Sequence, residues 1–84
     1  MTFTLPERAM MRKLFDHGTV SEMHGTYKDG THERRWEIIF RPKNIFRDDA
    51  YFDVGLSGYY EWETADTLDE ALDALETMTK EVAA

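Results

Sequence analysis

Residues 19–41 read TVSEMHGTYKDGTHERRWEIIFR, and their reading decides the fold. Two strand-like runs, 19–28 and 31–41, flank the dipeptide Asp29-Gly30. A two-residue loop of that composition is the strongest short-range signal for a β-hairpin. With Asp29-Gly30 as the loop, Lys28 faces Thr31, Met23 faces Trp36 and Val20 faces Ile39. Side chains alternate across a strand, so Tyr27, Met23, Trp36, Ile38 and Phe40 share one face, the expected core side. Val20, Glu22, His24, Glu33, Arg35, Glu37 and Ile39 share the other. The same register sets Glu22 opposite Glu37, a locally unfavourable pair.

Outward from the hairpin, the N-terminal side reads as a helix over residues 5–17. Thr4 and Glu7 form a capping box, and Pro6 sits in the first turn, where its missing N–H costs nothing. Leu5, Met10, Met11, Leu14 and Phe15 recur at helical spacing, and Gly18 supplies the stop. On the other side, Pro42 ends the second strand because it cannot donate within a ladder. Residues 43–49 read as a loop with Ile45 and Phe46 tucked inward. Residues 50–56 read as a third strand with Phe52, Val54 and Leu56 on its core side. Gly55 suggests a bulge or a close approach. Ser57-Gly58 turns the chain into a possible short fourth segment over 59–63.

Thr67 and Glu70 repeat the capping-box pattern, and Leu68, Ala71, Leu72, Leu75, Met78 and Val82 follow as one apolar stripe along about 22 Å of helix. The expected fold is therefore α+β in the order α-β-β-β-α. Three antiparallel strands, with a possible short fourth, carry two helices on one face. At 84 residues, 42% hydrophobic, the chain can bury one core and reads as a single domain spanning 1–84.

Charge is unevenly spread. Residues 1–43 hold eight basic and six acidic groups, and residues 44–84 hold two basic and eleven acidic, which together make the net −7. Between Asp48 and Glu76 lie ten carboxylates and no lysine or arginine. Such a surface repels nucleic acid and anionic lipid. There is no cysteine, no membrane-length apolar run and no signal-peptide pattern at the N-terminus, so a cytoplasmic protein is expected.

Two accounts cover the acids. Asp66, Asp69 and Glu70 sit at a helix N-terminus, where the macrodipole favours negative charge, and a soluble domain commonly carries a solvated acidic face. Alternatively, Asp69, Asp73 and Glu76 with Glu61 and Glu63 form a docking surface for a basic partner, and Tyr59, Tyr60 and Trp62 anchor it. Carboxylates three and four apart on a helix stand roughly 5–6 Å apart, near the spacing of phosphates along a strand. Lys80 is placed to pair with Glu76.

Motifs for chemistry are weak. Glu61 and Glu63 alternate onto one side of a strand at about 6.6 Å, a separation that suits a two-carboxylate hydrolase, yet a chain this short has little left to wall a cleft. His17, His24 and His32 do not converge: His24 faces Arg35 and His32 faces Tyr27 in the register above. Asp48, Asp49 and Asp53 lack the spacing of a calcium loop. Arg34, Arg35, Arg41, Lys43 and Arg47 cluster near the second strand without a glycine-rich phosphate loop, which points to internal charge balance. No enzyme, metal or cofactor is expected.

The α-β-β-β-α order, with Tyr27-Lys28-Asp29-Gly30-Thr31-His32 in the hairpin, resembles the double-stranded-RNA-binding domain. That family presents lysines to phosphates at the start of its second helix. Here the region reads Thr67-Leu68-Asp69-Glu70-Ala71, so the resemblance implies the layout but not RNA binding. In size, layout and acidity the chain is also similar to small phage-encoded proteins that block host nucleic-acid enzymes, including anti-CRISPR and anti-restriction proteins, several of which are nucleic-acid mimics. The resemblance implies an inhibitor that occupies a basic nucleic-acid-binding surface of a protein partner. The alternative is a self-associating structural protein, a possible homodimer, in which the basic half of one copy meets the acidic half of another.

Overall fold

The computed structural model describes residues 1–83. The elements run α1 (Leu5–Asp16), β1 (Glu22–Asp29), β2 (His32–Arg41), β3 (Tyr51–Leu56), β4 (Glu63–Ala65) and α2 (Leu68–Ala83). All four strands pair antiparallel in the order β1-β2-β3-β4, an α+β fold. The short fourth strand departs from the three-strand layout of the double-stranded-RNA-binding domain.

Helix α1 starts as its sequence dictates. Thr4 accepts from the Glu7 N–H, and the Glu7 carboxylate accepts from the Thr4 N–H at 2.9 Å, which holds that carboxyl below its usual range. Helix α1 ends at Asp16, and Gly18 follows with φ +68. The outer part of the expected apolar stripe is not buried. Leu5 and Met10 are exposed, and Phe15 carries the packing, edge-on to Phe52 at 5.3 Å. Helix α2 buries Leu68, Ala71, Leu72, Leu75 and Met78. Together with Phe3, Trp36, Ile38, Phe52, Val54 and Leu56 they form the core between the helices and one face of the sheet.

The hairpin has the expected faces and a different register. Asp29 pairs with His32, Gly25 with Trp36, Met23 with Ile38 and Glu22 with Ile39. The loop is Gly30-Thr31, with Gly30 at φ +61 and, among the described residues, no non-glycine residue at positive φ. This fits the turn that needs glycine only at its first central position, where Asp29-Gly30 would put two residues in the left-handed region. A slip of two residues leaves every side chain on its own face, so the core assignment stands although the pairs change. The physical reason is Trp36. Its indole lies over Gly25, where an added Cβ would stand 2.6 Å from the ring. The slip also separates Glu22 from Glu37, and it sets His24 opposite Glu37 and His32 opposite Asp29.

Two loop readings are corrected. Ile45 and Phe46 do not tuck inward but stand 92% and 87% exposed. They form the tip of a tight turn closed by reciprocal Asn44–Arg47 backbone bonds of 3.0 and 3.2 Å, and the Asn44 side chain accepts from the Phe46 N–H. Residues 59–63 are not the fourth strand. The strand begins at Glu63, because Trp62 turns back over Gly55 and only the next residues reach β3. No helix among the described residues is long and apolar enough to cross a membrane.

Candidate docking surface

The carboxylates of α2 meet α1. Asp69, Asp73 and Glu76 lie four and three residues apart, so they share one helix face. Arg8 of α1 reaches all three, at 3.5, 2.8 and 3.1 Å, and also donates to the Asp69 carbonyl at 3.3 Å. Arg12, one turn on, holds Asp69 at 3.0 Å. The Glu76 carboxylate takes a further N–H from Phe3 at 2.8 Å. Burial alone would depress the Arg8 guanidinium, but its bonds to Asp73 and Glu76 outweigh it and raise the pKa. The expected free acidic row is therefore a seam between helices, and Glu76 is taken by Arg8 rather than Lys80. The signal was available in the sequence: Arg8 and Arg12 stand one turn apart on α1, matching acids one turn apart on α2.

Other acids are held as well. Asp53 pairs with Arg41 at 3.0 Å, Asp49 and Asp66 share Arg47, and Asp29 holds Arg34 at 2.8 Å. Arg47 also lies over the Tyr51 ring, 4.2 Å from its centre. Internal balance, as expected from the sequence, is what these arginines do. Among the described residues, Asp48, Glu61, Glu63 and Glu70 hold no ion pair.

The β3–β4 loop gathers the rest of the expected set, Tyr59, Tyr60, Glu61, Trp62 and Glu63. Its start is tied to β2: the Ser57 N–H donates to the Arg35 carbonyl, and the Arg35 N–H to the Ser57 hydroxyl, both at 2.9 Å. Arg34 adds a bond to the Ser57 carbonyl at 3.2 Å. Gly58 takes φ +86, and the Tyr59 N–H closes back on the Leu56 carbonyl at 3.0 Å. So braced, the loop projects Tyr60, which is wholly exposed, and lays Trp62 on Gly55, where the ring is still 54% exposed.

Tyr60 and Glu61 divide two clefts. One, of about 240 Å³, lies between Arg35, Glu37, Gly55 and Trp62. The other, of about 470 Å³, lies between Arg34, Gly58, Tyr59, Glu81 and Val82. The Tyr59 hydroxyl sits between two carboxylates. Glu81, burial and Glu63, which accepts at 3.4 Å, push its pKa up to about 12.

The structure thus brings Tyr59, Tyr60, Glu61, Trp62 and Glu63 together beside the C-terminal end of α2. It leaves Asp69, Asp73 and Glu76 to the helix seam. The exposed Ile45-Phe46 tip escaped the sequence reading because apolar residues in a loop are ordinarily buried. Asn44, able to cap a turn two residues on, was the signal for it. No family model, curated protein or solved structure matches this chain.

Proposed function

We propose that this chain is a protein-binding module that docks on a basic partner surface through the β3–β4 loop. Tyr60 and Trp62 are the anchors, and Glu61 with Glu63 and Glu81 supplies the charge. The observation that carries the reading is a braced loop holding a fully exposed tyrosine between two clefts and a half-exposed tryptophan that walls the first. A braced loop backbone lowers the ordering cost of binding, and interface energy concentrates in aromatic residues. Blocking a nucleic-acid-binding enzyme is the form of this function that the chain's acidity favours. The α2 row drops out of the contact set, because Arg8 and Arg12 already satisfy it, so any mimicry of phosphates is confined to the loop acids.

The test is capture from a host extract on immobilised protein, followed by elution with salt. Tyr60→Ala with Trp62→Ala should lower capture about tenfold or more, while Asp73→Asn leaves it unchanged. Capture that ignores the loop pair and fails with Asp73→Asn would return the contact to the helix seam. Displacement by added DNA or RNA marks the partner surface as one that nucleic acid uses.

A further inference from the structure

We infer that β1 is a self-pairing edge, through which two copies of this chain join their sheets antiparallel, centred on Gly25. Strand β1 ends the sheet. Among the described residues its only strand partner is β2, and no loop backbone bonds to it. Which groups face outward follows from one bond. The Phe40 N–H donates to the Ser21 carbonyl at 2.9 Å, so Ser21 is a bonded position of the β1–β2 ladder. Bonded and non-bonded positions alternate along an antiparallel pair. Met23, Gly25 and Tyr27 therefore direct their backbone groups to β2. Glu22, His24, Thr26 and Lys28 turn theirs to the open edge.

An antiparallel copy centred on Gly25 sets Glu22 opposite Lys28 of the second copy, and His24 opposite Thr26 of the second copy. Each pairing occurs twice by symmetry. All outward-facing positions then find partners, and both ends of the new ladder carry an opposite-charge pair on one face. Neighbouring centres do worse. Centring on His24 removes Lys28 from Glu22, and centring on Thr26 sets His24 against Lys28. On the core side Met23 meets Tyr27 of the second copy. Both are half-buried and already packed against the core, so the apolar face continues across the junction. Gly25 meets Gly25 with no side chain to hold the backbones apart.

The pairing is isologous and closed, as two-fold interfaces are, and it satisfies an edge that would otherwise be open to any extended chain. The docking loop joins β3 to β4, and none of its residues lies in β1.

Sedimentation of the full chain up to about 1 mM, the weak end of specific association, tests the inference. The wild type should form a species of twice 9.9 kDa. Lys28→Glu and Glu22→Lys should each weaken it about tenfold or more, since each faces like charges across the dyad. An equimolar mixture of the two variants should recover the dimer, and so should the double exchange in one chain. Thr26→Pro removes an outward N–H without touching the β1–β2 ladder, and should leave a monomer with unchanged circular dichroism. A wild type that stays monomeric, or a dimer indifferent to Lys28→Glu or Thr26→Pro, overturns the proposal. The second result would place the contact on another surface.

Discussion

Each of the two tryptophans lies flat on a glycine of a neighbouring strand, and the two pairs have opposite fates. Trp36 covers Gly25 from within the core and is 9% exposed; Trp62 covers Gly55 on the open face and is 54% exposed. The same local device serves two ends. On the inner face, removing a Cβ lets an indole sink onto the sheet and so selects the hairpin register. On the outer face it parks an aromatic ring at the surface in one orientation, half in solvent. Glycine beneath a tryptophan therefore says that the ring packs on the backbone, and the strand's parity says whether that contact serves stability or display.

The contrast breaks most visibly at Trp36. Trp36→Ala should cost about 3–5 kcal/mol, against a total of about 4–13 kcal/mol for a chain this size. Urea unfolding followed by far-ultraviolet circular dichroism should show a large drop in the urea midpoint. Gly25→Ala puts a methyl into the indole and should cost about 1–3 kcal/mol, read as a lower urea midpoint at unchanged slope. Arg8→Met tests the helix seam beside this core. Asp73 and Asp69 can rehydrate but Glu76 is largely covered, so a loss of about 1–2 kcal/mol is expected, seen as a drop of several degrees in melting temperature.

On the outer face the same changes should barely register in stability. Trp62→Ala should stay within about 1 kcal/mol of wild type while removing partner capture. Gly55→Ala, whose methyl would stand 2.9 Å from the ring, should move the tryptophan emission to the red without changing the melting temperature. A Gly55→Ala variant as unstable as Gly25→Ala would erase the distinction. The smallest effect is in titration. Tyr59 is raised above the usual tyrosine value, so its contribution is complete below about pH 10 and is lost as pH climbs through about 12. Glu81→Gln should pull that titration down, as measured by tyrosinate absorbance.

A second contrast concerns charge. Asp69, Asp73 and Glu76 of α2 and the loop acids Glu61 and Glu63 look alike when counted along the chain, but the first set faces two arginines and the second holds no ion pair among the described residues. Charge per segment predicts the long-range field. It does not predict which charges a partner can reach, because a seam between helices neutralises acids locally.

The sequence by itself determined the two helices, the hairpin, the third strand and nearly all of the core. Those depend on periods of 2 and 3.6, on Thr4 and Glu7, and on Gly18, all of which act over a few residues. Tertiary structure alone decided the rest: Gly25 beneath Trp36 and with it the register, Glu63 rather than Tyr59 as the start of β4, the outward Ile45-Phe46 tip, and Arg8 astride three acids. Each of these is settled by atoms distant in sequence competing for one space, where a few tenths of an ångström or one guanidinium outweighs any local preference.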